Sequence, residues 1–202
     1  MKKGKPAALQ VIRDEHAAVA AMLRSLQPMV AQGPGDEPER FFDILRAMLF
    51  YIDEFPEKRH HPKESNLLFP KVVRLAPELM PVIRQLEKDH MQGEARVREL
   101  QHQLLAWELV GDLRRCAFLE NLQGYVRFYL DHMRLEETEV LPVAERVLGD
   151  ADWLELNRAF EDERDPLAGG VADPAYDRLF TRIVLATPAP LGVGRQLQKG
   201  SR

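Results

Sequence analysis

The stretch His132-Met133-Arg134-Leu135-Glu136 and its upstream counterpart His60-His61-Pro62-Lys63-Glu64 share the pattern His-x-x-x-Glu. In an α-helix, residues four apart lie above one another on the same face. An imidazole and a carboxylate placed in this way can bind one metal ion from a single helix. Each copy continues into an apolar tripeptide that ends in proline, Leu68-Phe69-Pro70 or Val140-Leu141-Pro142. Corresponding residues are 72 positions apart (132 − 60, 136 − 64 and 142 − 70), which indicates an internal duplication.

A second pair of histidines follows nearly the same offset. His16 and His90 each come after acidic residues and are 74 positions apart (90 − 16). Each half of the chain therefore carries one histidine on a first helix and a His-x-x-x-Glu motif on a second helix. A long repeat built from helix pairs predicts two halves that face each other around a shared site.

Apolar residues spaced alternately by three and four positions predict an all-α fold. The predicted helices cover about residues 7–30, 38–75, 81–110 and 113–148. Short connections between them predict an antiparallel up-down four-helix bundle. His16 and His90 complete the apolar seams of the first and third helices, so both side chains should point into the core. Pro56 and Pro62 interrupt the second helix, and we expect a kink or local rewinding between them.

Beyond the duplication, the chain changes character. We expect residues 7–149 to form the metal-binding bundle and residues 150–202 to form a C-terminal extension. Asp150 to Asp152 have the composition of a helix cap, and a short helix carrying Trp153, Leu156 and Phe160 should follow. Another helix is expected over residues 174–186, and a Pro- and Gly-rich tail after that should be extended or disordered. The extension could cover an end of the bundle or mediate dimer contacts.

The composition excludes several classes of protein. The chain has 45% hydrophobic and 30% charged residues and a net charge of −4, with basic residues scattered among acidic ones, so no nucleic-acid partner is expected. No uncharged apolar stretch is long enough to cross a membrane, and no apolar run follows the basic N-terminus. These features predict a cytoplasmic protein. Its one cysteine, Cys116, excludes an internal disulfide and a thiol-rich metal site, and we expect it to be buried.

In an antiparallel bundle the four helices bring imidazoles and carboxylates to a common centre. A seam glutamate such as Glu136 needs a strong partner, because burying a lone carboxylate costs several kcal/mol. Six ligands exceed the four of a structural zinc site and suit two metals bridged by carboxylates. The combination of imidazole and carboxylate favours iron, manganese or zinc over calcium or magnesium. The predicted metal ligands are His16, His60, Glu64, His90, His132 and Glu136.

This pattern resembles that of the hemerythrin-like (HHE cation-binding) domains over about residues 9–148. The family signature is a lone histidine followed by a His-x-x-x-Glu motif, and this pair of features occurs twice along the chain. A Leu-Phe-Pro-like tripeptide often follows the motif. The resemblance implies a non-haem di-iron centre in which His16 and His60 hold one iron, and His90 and His132 hold the other. The two glutamates would bridge the irons together with an oxo or hydroxo group.

The chain departs from the oxygen-carrying members of that family at Glu94, where they carry a further histidine. Glu94 would either open a coordination position or add a third carboxylate, and both favour a readily oxidised centre over a reversible oxygen carrier. The ligand set is more similar to that of bacterial di-iron proteins linked to nitrosative stress and iron–sulfur repair, although their N-terminal cysteine-bearing segment is missing. His61 lies about 100° around an α-helix from His60, so it should fall outside the ligand set unless Pro62 shifts the register. Glu137 is expected on a charged outer face.

Three functions remain open at this point. The chain could be a binding protein whose open iron position takes oxygen, nitric oxide or peroxide for storage, sensing or scavenging. It could be a di-iron redox enzyme that reduces peroxide or nitric oxide, or serves cluster repair, with an electron-transfer partner. It could also be an interaction protein with a relict or zinc-filled site. The absence of a substrate-recognition motif favours the first, as either a monomer or a homodimer.

Overall fold

The computed structural model describes residues 7–162, 164–170 and 176–186, and these residues contain helices and no strand. The predicted tail from Pro188 onward lies outside the described residues. No helix in the described ranges has the length and apolar character needed to cross a membrane. The α-helices are α1 (Ala7–Gln32), α2 (Pro38–Ile52), α3 (His61–Lys63), α4 (Phe69–Leu75), α5 (Met80–Val110), α6 (Arg115–Leu135), α7 (Leu141–Val147), α8 (Asp150–Asp162) and α9 (Asp177–Ala186).

Four long helical segments form a bundle, as the spacing of apolar residues predicts. The first and third segments are α1 and α5, the second runs from Pro38 to Leu75, and the fourth from Arg115 to Val147. α5 packs against α2 and α6, and α1 packs against α6 and α2. The buried residues of α5, from Ile83 to Trp107, are those of the predicted seam. Cys116 is exposed near the start of α6, so the expectation that it would be buried was wrong.

The core consists of two apolar clusters with a polar layer between them. The larger cluster includes Leu23, Met48 and Trp107, and the smaller includes Leu9 and Phe69. Each helical segment contributes to both clusters, since its apolar face continues along most of its length. The candidate ligands come from the positions between the clusters, where each seam changes from apolar to polar side chains.

The second and fourth segments depart from α-helical geometry at the two motifs. Residues Glu64–Leu68 and Glu136–Val140 are π-helical, and α4 or α7 follows with a proline at its second position. Proline lacks the N–H of the usual helix bond and its ring crowds the carbonyl four residues back, so a wider turn relieves the crowding. The N–H groups of Phe69 and Leu141 accordingly donate to carbonyls five residues back. The duplication thus extends to the backbone.

A third π-helical stretch leads into the first motif. It covers Asp53–His60 and contains Pro56, and α3 with Pro62 follows directly. The N–H of His61 donates to the carbonyl of Pro56, again five residues back. The rewinding expected between the two prolines is therefore confirmed, and it takes the form of π-helical turns.

The C-terminal segment packs on the bundle through two helices. The predicted short helix is α8, and its side chains Trp153, Leu156 and Phe160 are buried. Asn157 accepts a hydrogen bond of 2.9 Å from the N–H of Ala8, an otherwise unpaired donor in the first turn of α1. α9 packs against α2, and Phe180 and Ile183 are buried there.

A tight loop, residues 164–170, connects to α8 and carries a buried aspartate. Asp165 is 5% exposed and accepts hydrogen bonds from the hydroxyl of Tyr51 and from the N–H of Leu167. A Cβ at Gly170 would lie 2.1 Å from the carbonyl oxygen of Arg164, so the loop can close only with glycine at that position. Burial raises the pKa of the Asp165 carboxyl to about 6, although its hydrogen bond from Tyr51 lowers it.

We expect Asp165→Asn to change how stability depends on pH. The folded protein binds the proton of the Asp165 carboxyl more tightly than the unfolded chain does. The contribution of Asp165 to the free energy of unfolding therefore falls as the pH rises from about 4 to about 6. The loss amounts to at most about 3 kcal/mol. The variant should therefore gain stability relative to the unaltered protein between pH 4 and pH 7, measured by urea denaturation of both proteins. A constant difference across that range would contradict the raised pKa.

Candidate metal centre

Two groups of four buried side chains lie between the apolar clusters, and each group could hold a metal ion. Within each group, one ligand atom from every side chain lies within 4.8 Å of the others. The bundle brings the six residues predicted from the sequence to this centre, and His61 joins them. The first group is His16, His60, Glu64 and Glu136, and the second group is His61, Glu64, His90 and His132.

Glu64 belongs to both groups. Its Oε1 lies 2.7 Å from Nε2 of His60, and its Oε2 lies 3.3 Å from Nε2 of His90. A carboxylate that directs one oxygen to each group has the arrangement of a bridging ligand. Glu136 belongs to the first group only, with Oε2 at 3.5 Å from Nε2 of His16. The two glutamates, expected as an equivalent pair, therefore differ in their surroundings.

The carboxylates of Glu64 and Glu136 are fully buried among the other candidate ligands. Both residues are 0% exposed, and none of their four oxygens has a contact of hydrogen-bond geometry within the described residues, although Nε2 of His60 lies 2.7 Å from Glu64. Nε2 of His90 and both ring nitrogens of His132 lack such contacts as well. Burying unpaired carboxylates costs several kcal/mol each. Carboxylate oxygens and imidazole nitrogens that converge within 4.8 Å of one another fit a bound cation.

Side chains outside the centre orient four of the histidines. A partner at Nδ1 fixes the tautomer in which the lone pair of Nε2 is available to a metal. For His132 the corresponding distance to Asp89 is 3.7 Å, too long for a hydrogen bond. The other Nδ1 distances are 2.9 Å from His16 to Glu137, 2.5 Å from His60 to Glu15, 3.0 Å from His61 to Glu57 and 2.9 Å from His90 to Ser65. Glu137, expected on an outer charged face, thus contacts a candidate ligand.

Burial and neighbouring charges strongly shift the pKa values of the candidate ligands. Burial lowers the pKa of His60, but the carboxylates of Glu64 and Glu15 outweigh it and raise that pKa well above its usual range. Burial raises the pKa of Glu64, but the charge of His60 outweighs it and lowers that pKa well below normal. Burial and the charge of Glu64 together raise the pKa of Glu136. Protons and a cation therefore compete for the same ligand atoms.

His61 lies inside the centre, contrary to the expectation from an ideal α-helix. Its ring stacks on that of His90 with centroids 4.0 Å apart, and its Nε2 lies 2.9 Å from the hydroxyl of Tyr129. Burial lowers the pKa of His61 well below normal, and so does the charge of His90, which keeps the ring neutral. The π-helical turns before His61 and the proline after it change the rotation that the ideal projection assumes. Pro62 was the signal that could have identified this residue.

Glu94, which stands where the resemblance implies a further histidine, lies outside both groups. Its side chain is 46% exposed and forms an ion pair of 2.5 Å with Arg98. The neighbouring Gly93 is the residue that faces the interior. Glu94 therefore supplies no third carboxylate to the centre.

Glu57 occupies the space beside Gly93. Its Oε1 accepts a hydrogen bond of 3.2 Å from the hydroxyl of Tyr125, and its Oε2 lies 3.0 Å from His61. Burial raises the pKa of Glu57 to about 8, although the Tyr125 hydrogen bond lowers it. A Cβ at Gly93 would lie 2.7 Å from Oε1, so the glycine makes room for the carboxyl group that contacts His61.

A small cavity adjoins the first group on the side of the C-terminal segment. Its volume is about 10 Å³, enough for about one water molecule. Apolar side chains such as Val19 and Phe55 form part of its wall. Its polar lining is Glu15, Arg59, Lys63, Tyr129, Asp165 and the histidines His16, His60 and His61.

Comparison with known proteins identifies one match. The family model described as the hemerythrin HHE cation binding domain matches residues 7–144, which is more than half of the chain. Neither the curated proteins nor the solved structures give a significant match.

We predict opposite effects for alanine at two helical glycines. Gly93→Ala should lower the free energy of unfolding by about 1–3 kcal/mol, because the new methyl group collides with buried Glu57. Gly124→Ala is the matched control, since a Cβ there meets nothing within 4 Å. It should raise stability by about 0.5–1 kcal/mol through helix propensity. Urea denaturation of the metal-free proteins measures the free energy of unfolding of both variants. If the two substitutions stabilised the protein equally, Glu57 would be free to move away from the new methyl group.

Proposed function

Because the chain belongs to the hemerythrin HHE cation-binding domain family, we propose that it binds two iron ions in a non-haem centre and takes up oxygen, nitric oxide or peroxide there. The observation that carries the proposal is the pair of fully buried glutamates whose oxygens converge with imidazole nitrogens in two groups that share Glu64. Storage, sensing and scavenging of such a ligand all use this one property.

The two groups of side chains define the two metal positions. In the proposed assignment, His16 and His60 bind the first ion and Glu64 bridges it to the second. The second ion takes three imidazoles, those of His61, His90 and His132. Glu136 binds the first ion, and its role as a second bridge stays a prediction. Carboxylate-bridged pairs in helical bundles usually contain iron or manganese, so iron is proposed with manganese or zinc as alternatives.

Iron held by these ligands would supply a coordination position for a diatomic gas or peroxide. The protein contributes the size and polarity of the space beside it. The cavity next to the first group has room for little more than a water molecule, which excludes larger ligands. Val19 and Phe55 keep part of its wall apolar, and Tyr129 also lines it. A cleft of about 510 Å³ between α1 and α6 reaches His16 and offers a route from solvent.

The position of Glu94 favours a binding protein over a redox enzyme. The argument for a redox enzyme in stress defence or iron–sulfur repair depended on Glu94 replacing a histidine ligand. Glu94 instead pairs with Arg98 at the surface, and His61 adds a nitrogen to the second group. A relict site is disfavoured too, because burying two carboxylates side by side is costly unless a cation neutralises them.

We expect about two iron ions per chain in anaerobically purified protein, measured by mass spectrometry of the metals. Glu64→Gln should lower occupancy at both positions because Glu64 belongs to both groups, whereas His90→Ala should affect only the second. Glu94→Ala is the control and should leave the metal content unchanged. Chelation should lower the melting temperature, since a ligand of the native state stabilises it by mass action. One zinc ion or no metal, in protein expressed with ample iron, would overturn the proposal.

Filling the cavity should weaken ligand binding without removing metal. Val19→Ile adds one methyl group at the cavity wall and should reduce nitric oxide affinity at least about tenfold, the usual effect of one methylene in a tight pocket. Val11→Ile adds the same group at a buried position of α1 away from the cavity and is the control. The measurement is an anaerobic optical titration of the ferrous proteins with nitric oxide. Equal affinities for both variants would place the ligand elsewhere.

A further inference from the structure

The loop of residues 164–170 lies beyond the residues that the family model matches and reaches the metal centre from outside. The N–H of Asp165 donates a 2.8 Å hydrogen bond to Oε1 of Glu15. The other oxygen of Glu15 lies 2.5 Å from Nδ1 of His60. Nε2 of the same ring lies 2.7 Å from Glu64. A continuous series of polar contacts therefore connects the loop to the first group.

Several contacts hold the loop against α1 and α2. The Asp165 side chain accepts hydrogen bonds from Tyr51 and from the N–H of Leu167, which orient its own N–H toward Glu15. Arg164 forms an ion pair of 2.6 Å with Asp14, one residue before Glu15. The loop is thus fastened on both sides of the contact that it makes with Glu15.

α8 also contributes to this side of the centre. The ring of Phe160 lies edge-on to that of His60, with centroids 6.0 Å apart, and the ammonium group of Lys63 lies 5.5 Å from the centroid of the same Phe160 ring. Phe160 is 0% exposed. The C-terminal segment therefore shields the outer face of His60 from water, which strengthens the hydrogen bond between His60 and Glu15.

His60 is the histidine whose outer partner, Glu15, is itself in contact with the C-terminal segment. The partners of His61 and His90 are Glu57 and Ser65, which belong to the bundle itself. Glu137, the partner of His16, has a side chain that is 40% exposed. In the described part of the chain, the carboxylate beside His60 is the one whose second oxygen is bound by the C-terminal segment.

We propose that Asp165 is a positioning residue that sets the metal affinity of the first group by orienting Glu15 against His60. A carboxylate bound at only one oxygen can rotate, whereas one bound at both keeps a fixed direction. A fixed Glu15 keeps the Nδ1 proton of His60 in place and leaves Nε2 for the metal. The inference rests on the proposed function, because it concerns the affinity of the same two-metal site.

The test compares three single variants in anaerobic Fe²⁺ titrations of the full chain. Asp165→Ala removes the side chain that holds the loop and should weaken one of the two binding steps about tenfold, the lower end of what loss of an outer partner costs. Asp165→Asn keeps the size and polar character of the side chain and should restore most of the affinity. Asp162→Ala changes an exposed acidic residue of the same segment and should bind as the unaltered protein does.

A double-mutant cycle separates positioning from a general loss of structure. Glu15→Gln removes the charge beside His60 and should itself weaken the same binding step by about tenfold or more. If Asp165 acts through Glu15, adding Asp165→Ala to that variant should have no further effect. A merely structural role would instead give additive losses, and additive losses would overturn the proposal.

Tyr51→Phe provides an independent variant where Asp165→Ala does not fold. It removes only the hydroxyl that orients Asp165 and should weaken the same step several-fold, with an unchanged circular dichroism spectrum. The inference would be overturned if the unaltered protein binds Fe²⁺ in two steps and both Asp165→Ala and Tyr51→Phe bind it with unchanged affinity. The proposed function would still stand in that case. If the unaltered protein binds no Fe²⁺, both proposals fail together.

Discussion

Burial of two carboxylates between apolar clusters is the constraint on which the rest of this structure depends. Glu64 and Glu136 lie where four helical segments meet, and the nitrogens nearest to their oxygens belong to other candidate ligands, with Nε2 of His60 at 2.7 Å from Glu64 and Nε2 of His16 at 3.5 Å from Glu136. Packing two such groups costs several kcal/mol each, a large part of the net stability of a domain of this size. A bound cation would neutralise this pair of carboxylates and use the imidazole nitrogens that already surround them. The buried ligands and the family match, which are independent of each other, both indicate a cation-binding protein.

The backbone around the glutamates is adapted to this role. Each glutamate begins a π-helical turn, and a proline six residues later prevents the chain from returning to α-helical hydrogen bonding at once. In the second segment, residues Asp53–His60 are π-helical as well, and the two adjacent histidines His60 and His61 belong to different groups. His60 contributes to the first group and His61 to the second, while Glu64 reaches both. A regular α-helix would direct one of the two histidines away from the centre.

This geometry explains what could be predicted from the sequence and what could not. Spacings of three and four identified the bundle, because the buried face of a helix depends mainly on its period. His16 and His90 followed from the same rule. His61 did not, since a projection at about 100° per residue fails across π-helical turns. The sequence could not decide whether Glu94 is a metal ligand, because sequence spacing does not show whether an acidic residue pairs with a surface residue such as Arg98.

The C-terminal segment was the least predictable part in functional terms. The periodicity of Trp153, Leu156 and Phe160 identified a buried helix, but nothing in the sequence related Asp165 to Glu15, which is 150 residues away (165 − 15). The outer partners of the histidines are similarly scattered and have no common motif. Such contacts depend on how the helices are assembled, so only the folded structure reveals them.

Comparison of the two copies shows how the centre became asymmetric. The counterpart of His61 is Met133 (133 − 61), a core residue that is 5% exposed. The counterpart of Glu57 is Tyr129 (129 − 57), and both contact His61. The second group therefore has three imidazoles and the first has two, and the small cavity adjoins the first. His61, which has no counterpart ligand in the other copy, lines that cavity together with His16 and His60, so the residue that makes the copies unequal also bounds the space for an external ligand.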